Sequence, residues 1–172
     1  GDDWRDGNLY DKVQLVEYSD FQSTACEFYD HWIEQLRDEF TDEQLVVAYR
    51  HFPLRTIHAN AQISSQVVEA AGLQGKFWLA ADAVFNGQKL WSEQILARQT
   101  LVKLLQPLGL NLTKLEQDID SAVVKKAVEQ DLQSGLSSGV DSTPSFFLNG
   151  KRIVNPQSYE EFKKLITDNL GA

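Results

Sequence analysis

The spacing of apolar and polar positions changes period several times along the chain. Val13–Tyr18 (VQLVEY) is short, β-branched and mostly apolar, the pattern of a strand buried on both faces or nearly so. From Thr24 to Phe40 the period shifts: Phe28, Ile33, Leu36 and Phe40, with Tyr29 and Trp32, fall at helical spacing. Leu45–Phe52 (LVVAYRHF) predicts a second strand, stopped by Pro53, which has no N–H to give to a ladder. A strand, a crossover helix and a strand of these lengths make a right-handed βαβ unit with a parallel pair.

Between His58 and Leu136 the strand pattern disappears. The stretches NAQISSQVVEAAG, KFWLAADAVFNG, SEQILARQTLVKLL and LTKLEQDIDSAVVKKAVEQDL carry helical periodicity, several closing on Gly or Asn, and form a helical block of about eighty residues. Strand signals return in Ser145–Leu148 and Lys151–Val154. Asn149-Gly150 between them suits a type I′ hairpin turn, because both central residues need φ > 0. Tyr159–Leu170 closes the chain as an amphipathic helix. The order is βαβ, helical block, ββα, with no internal repeat, low-complexity tract or linker.

Composition narrows this picture. A chain of 172 residues with 42% apolar content is sized for one domain with a proper core. The net charge of -9, from 25 acidic against 16 basic residues, argues against nucleic acid and anionic membrane surfaces as partners. No apolar run approaches the roughly 18 to 20 residues that cross a bilayer, and Gly1-Asp2-Asp3-Trp4 lacks the basic start and apolar centre of a signal peptide. The sequence begins with glycine and contains no methionine. The expectation is that a start codon, with any targeting or anchoring segment, has been removed. A single cysteine, Cys26, forms no internal disulfide, which taken alone favours a reducing compartment.

Three segments carry a resemblance. LVEYSDFQSTAC looks like the first strand of the DsbA-like thiol:disulfide oxidoreductases running into their active-site C-x-x-C. YRHFPL resembles the end of their next core strand, and GVDSTPSFFLNG their cis-proline loop and following hairpin. The resemblance implies an α/β thioredoxin fold with a helical insertion between the βαβ and ββα halves. Residues 1–12 are then a lead-in, 13–57 and 140–172 the thioredoxin core, and 58–139 the insertion. It also implies exchange with protein cysteines through a mixed disulfide, without a cofactor. The implied partners are reduced or unfolded cysteine-containing proteins and a membrane redox partner that reoxidises the enzyme. The implied location is extracytoplasmic, in periplasm or cell envelope, with the missing N-terminus a signal or anchor. That reverses the hint from the cysteine count.

The chain departs from the family at Ser23, where the first active-site cysteine is expected. The family's first cysteine is the nucleophile, its thiolate stabilised by the unpaired N–H groups and dipole of a helix N-terminus. A serine hydroxyl in that field stays protonated near neutral pH and makes no disulfide. Cys26 matches the resolving cysteine. Three readings of Ser23 stand side by side: a natural C-T-A-C site whose first cysteine has been lost or deliberately replaced by serine to silence it, a native serine in a redox-inactive peptide-binding or chaperone module, and a residue present only as a helix N-cap. The completeness of the surrounding motif favours the first. A glutathione-dependent transferase or isomerase, with Ser23 activating the glutathione thiol, is a weaker alternative.

Further positions follow from the resemblance. Thr143-Pro144 matches the cis-proline dipeptide that faces the active-site helix. Glu17, six residues before Ser23, matches a buried acid of some relatives that carries protons during exchange, and is otherwise an ordinary strand glutamate facing solvent. Thr24 and Ala25 fill the variable pair that tunes the redox potential. His31, His51 and His58 have no metal-ligand spacing, and no phosphate loop or G-x-S-x-G elbow is present. Phe77, Trp78, Phe85 and Trp91 are expected in the core, with some lining a groove beside the site.

Overall fold

A computed structural model describes residues 3–7 and 13–171. Five strands among them form one sheet in the order β1-β3-β2-β4-β5: β1 Trp4–Asp6, β2 Val13–Ser19, β3 Leu45–His51, β4 Ser145–Leu148 and β5 Lys151–Arg152. The β2–β3 pair is parallel and the others are antiparallel. Helix α1, Thr24–Glu39, crosses from β2 to β3, and α8, Tyr159–Leu170, follows the final hairpin. Between β3 and β4 lie α2 Ala61–Gly72, α3 Phe77–Asn86, α4 Gln88–Trp91, α5 Ala97–Leu105, a 3-10 turn at Gln106–Leu108, α6 Leu112–Ile119 and α7 Ala122–Ser137. This is the thioredoxin fold with a helical insertion.

Alternation along β2 sorts its side chains between two layers. Val13 and Leu15 pack with Ile33, Leu36, Val47, Phe146, Phe162 and Ile166, so α1 and α8 cover that face. Tyr18, from the other face, packs with Phe52, Leu132 and Val140. The largest cluster lies under the insertion and includes Phe77, Phe85, Trp91, Leu101 and Leu105, together with Phe21, Cys26 and Tyr49 from the strand-bearing half. Burying each large apolar side chain of this kind contributes about 1.5–3 kcal/mol, and the shared cluster joins the two parts into one core.

Several boundaries differ from the sequence expectation. The lead-in contains a strand: β1 pairs with β3 in the register Trp4↔Tyr49 to Asp6↔Val47, and residues 1–2 and 8–12 of the expected lead-in lie outside the described residues. Three residues are too few to display a period, and β1 is held by side chains instead. The Trp4 ring stacks on Phe77 at 4.8 Å, its indole N–H donates to Glu69, and Arg50 forms a bidentate pair with Asp3 at 2.8 and 3.0 Å. Strand β3 stops at His51 rather than Phe52, and α1 at Glu39 with Phe40 as its cap. The last strand covers only Lys151–Arg152, not Lys151–Val154. Phe28, expected on the apolar face of α1, is 51% exposed, because the buried face runs Cys26, Asp30, Ile33 and Leu36. The hairpin turn has φ 48° at Asn149 and φ 78° at Gly150, both in the left-handed region the dipeptide was expected to supply.

Gly135 on α7 lies where the helix touches the sheet, and a Cβ there would stand 2.6 Å from Phe52 Cδ2 and 3.0 Å from Tyr18 Cδ1. The better helix propensity of alanine, about 1 kcal/mol, opposes an overpacking cost of about 1–3 kcal/mol. Gly135→Ala is therefore expected to lose up to about 2 kcal/mol, read as a lower urea midpoint with unchanged slope.

Candidate active site

Strand β2 ends at Ser19, and Asp20–Gln22 turn the chain into α1. Ser23 is the N-cap: its backbone is extended and its Oγ accepts from the Cys26 N–H at 3.3 Å. Thr24 and Ala25 are exposed on the first turn, whose unpaired N–H groups make this end of the helix electropositive. Three side chains fasten the turn to the insertion and the β3–α2 connection. Gln88 Nε2 donates to the Phe21 and Ser23 carbonyls at 2.8 and 3.0 Å. Gln22 donates to the Ser92 carbonyl at 2.7 Å and accepts from the Asn60 N–H at 2.7 Å. Asn60 donates to the Ser92 and Gln94 carbonyls, each at 2.9 Å.

Cys26 is fully buried, and its Sγ accepts from the Asp20 N–H at 3.4 Å. Burial, reinforced by the neighbouring Glu17 charge, pushes its thiol up to about 12, against the opposing pull of the Ser19 and Ser23 hydroxyls and the Asp20 N–H. The thiol is thus protonated and unreactive near neutral pH. Glu17, on the Leu15 face of β2 beneath α1, is 2% exposed, which resolves the choice between a buried acid and a solvent-facing glutamate in favour of burial. Its Oε1 has no hydrogen-bond partner, and burial raises its carboxyl to about 7, the Ser19 hydroxyl pulling weakly the other way.

Two further acids lie behind Glu17. Asp30, one helical turn beyond Cys26, is raised to about 8 by burial and then by the charges of Glu17, Asp82 and Glu34, with Arg37 opposing. Asp82, on α3, is raised to about 6 by burial, opposed by Arg37, whose Nη1 lies 3.7 Å away. Sequence reading missed both. The i, i+4 spacing of Cys26 and Asp30 was the available signal, since it puts them on one helix face. Asp82 gave none.

The Tyr18↔Ser145 register brings the segment just before β4 to the β2 end that carries the active-site turn. That segment holds Thr143 and Pro144, and the bond between them is cis. Pro144 is buried, its carbonyl accepting from Asn155 Nδ2 at 2.8 Å, while Thr143 Oγ1 is buried without a partner. Pro144, Ser142, Arg152 and Val154 line a cleft of about 440 Å³. The histidines are dispersed: His31 near Glu27, His51 on Glu69 at 3.1 Å and His58 on Asp20 at 2.8 Å. Among the described residues no three His, Cys, Asp or Glu side chains are grouped to hold a metal ion. Phe77, Phe85 and Trp91 are core residues, while Trp78 is half-buried, with the Arg37 guanidinium 4.2 Å above its ring.

A strand-to-helix turn with a capping residue at position 23, a buried cysteine one turn on, an acid beneath it and a cis-proline beside it define a protein of the thioredoxin class. The thioredoxin family model (Thioredoxin_4) matches residues 2–168, and the chain belongs to that family. Its fold is similar to that of oxidised BdbD from Bacillus subtilis, with a TM-score of 0.85, 18% identity, and 99% of this chain and 94% of that one covered. Wolbachia pipientis alpha-DsbA1 superposes with a TM-score of 0.86 at 17% identity over 99% of this chain and 92% of that one. The catalytic domain of Proteus mirabilis ScsC gives 0.80 at 14%, covering 99% and 90%. These are DsbA-like folds. By sequence, the chain is 36% identical over 142 residues to the Na(+)/H(+) antiporter NhaA of Herminiimonas arsenicoxydans, covering 83% of this chain and 21% of that protein. It is 32% identical over 148 residues to antiporter NhaA 1 of Mycolicibacterium gilvum, covering 84% and 23%. The chain thus spans about a fifth of the length of these curated relatives.

The raised Glu17 carboxyl sets a pH dependence of stability. Its folded value, about 7, lies above the ordinary 4.5, so between these values the folded chain holds a proton that the unfolded chain has released. The stabilisation is complete below 4.5 and is lost as pH rises through 7, a change of about 3 kcal/mol by pH 8. Asp30 and Asp82 act in the same direction. Urea unfolding at pH 5 and pH 8 is expected to show greater stability at pH 5, and Glu17→Gln to remove much of the difference.

Proposed function

We propose that the chain is a thiol:disulfide exchange domain of the DsbA-like type whose nucleophile position is occupied by Ser23, so that the chain as it stands does not complete the catalytic cycle. The observation that carries this reading is the placement of position 23. It caps α1 at the electropositive end, over a buried thiol and a proton-holding acid. A sulfur there would meet the first-turn N–H groups, which stabilise a thiolate.

With a 23–26 disulfide in place, a substrate thiolate attacks the sulfur at position 23, and the 23–26 bond breaks as the mixed disulfide forms. The electron pair goes to Cys26, which takes a proton from the neutral Glu17 carboxyl. A second substrate thiolate then attacks the substrate sulfur of the mixed disulfide and releases the sulfur at position 23. Thr24 and Ala25 set the environment of the reacting sulfur, and Thr143-Pro144 positions the extended substrate chain. The substrates are reduced or unfolded cysteine-containing proteins, and a membrane redox partner reoxidises the pair. The site works outside the cytoplasm. The antiporter names of the longer relatives support a location beside a membrane.

Oxidative refolding of a reduced, disulfide-requiring protein in a fixed glutathione buffer tests this reading. Ser23→Cys is expected to accelerate refolding at least about tenfold over the parent chain, which does not accelerate it. A Ser23→Cys protein that forms its own disulfide yet leaves the refolding rate unchanged points to a redox-inactive peptide-binding module.

A further inference from the structure

His58 lies outside the residues that the exchange cycle above employs, yet it is held as a proton-transfer group is held. Its Nδ1 is 2.8 Å from Asp20 Oδ2. Asp20 has no solvent exposure, and its carboxylate also accepts from the Gln22 N–H at 2.8 Å and the Leu54 N–H at 2.9 Å. A carboxylate only accepts, so Nδ1 carries the hydrogen, and the tautomer and ring orientation are fixed. Nε2 has no protein partner among the described residues. The side chain is 24% exposed and lines a groove of about 610 Å³. The same groove is lined by Gln22 and Thr24, the two neighbours of position 23, and on its far wall by Ser92–Ile95. A buried carboxylate orienting an imidazole that lines a reaction groove, with the second ring nitrogen left unengaged, is the arrangement of a general base.

We infer that His58, oriented by Asp20, exchanges a proton with the sulfurs that react at position 23; the inference rests on the exchange reading above. During oxidation of a substrate dithiol, the first substrate S–H gives its proton to His58 Nε2, and the thiolate so formed attacks the sulfur at position 23. The 23–26 bond breaks, and Cys26 is protonated from Glu17. In the second step the two substrate sulfurs join and the bond to position 23 breaks. The departing sulfur takes the proton held on His58, and the second substrate proton returns to Glu17 through solvent. The substrate loses two electrons and two protons, and the protein disulfide gains both. Glu17 then serves the buried side of the pair and His58 the side open to substrate. The charged groups around the ring are few. Asp20 faces it from the end of β2, Glu93 lines the groove from the connection after α4, and Arg55 on its own loop is engaged with Gln62 and Glu129.

The test uses the Ser23→Cys protein, with and without His58→Asn. The asparagine amide continues to donate to Asp20 but does not titrate. Alkylation of the position 23 sulfur by iodoacetamide is followed from pH 5 to pH 9. Ser23→Cys is expected to show two inflections, one of them from the imidazole coupled to the sulfur. The His58→Asn combination is expected to show one, and to oxidise a dithiol peptide at pH 7 at least about tenfold more slowly. Superimposable alkylation profiles overturn the inference, even where Ser23→Cys turns over. Two inflections that collapse to one support the imidazole–sulfur coupling even where it does not, and the exchange reading alone then fails. If His58→Asn does not fold, an NMR titration of the His58 ring before and after alkylation of Ser23→Cys decides the coupling. A shifted midpoint supports it, and an unchanged midpoint overturns it.

Discussion

The Asp20 carboxylate is the constraint on which the site depends. It is completely enclosed, and an enclosed charge persists only where its acceptor sites are filled. Here they are filled by Gln22 of its own turn, by Leu54 just after β3 and by His58 beyond. Through its own N–H the same residue reaches Cys26 Sγ. One residue thereby ties the exit of β2, the exit of β3 and, through its main chain, the first turn of α1. The parallel β2–β3 pairing, which matches Ser19 with His51, brings these C-terminal strand ends together at one end of the sheet.

Around this anchor the electrostatics run in opposite directions at the two ends of one helical turn. At position 23 the helix end favours negative charge, and a serine there contributes about 1 kcal/mol as a cap without the reactivity of a thiol. At Cys26, three residues on, burial and the Glu17 charge disfavour it. The acids Glu17, Asp30 and Asp82 extend that second environment inward from the sheet to α3. Each ionises at the expense of folding stability, the pattern expected of a functional region that the rest of the core must offset.

Much of the fold was legible in the sequence because its elements are long and periodic. The β2–α1–β3 unit, the run of helices without strands, the Asn149-Gly150 hairpin and α8 all declare their period or turn chemistry. Strand β1 did not, since its place is fixed by Trp4 against Phe77 and by Asp3 against Arg50, contacts between residues far apart in sequence. Ser23, Cys26 and the Thr143-Pro144 dipeptide were legible as motifs. The burial of Glu17 was not, because a nearly continuous apolar strand gives no alternation from which to assign a face. Asp30 reads as one more surface acid of an acidic chain until α3 is laid against α1. The pairing of Asp20 with His58 spans a helix and a strand, and only the sheet register creates it.

The fastening of the active-site turn is largely written in main-chain acceptors. Gln88 holds the carbonyls of Phe21 and Ser23, while Gln22 and Asn60 hold those of Ser92 and Gln94. A carbonyl is supplied by whatever residue stands at its position. The side chains at 23, 92 and 94 therefore take no part in these bonds, whereas that of Phe21 is held separately by the core. These main-chain bonds do not depend on whether oxygen or sulfur occupies position 23, so chemistry there can be gained or lost by a one-atom exchange that costs the helix only its serine cap.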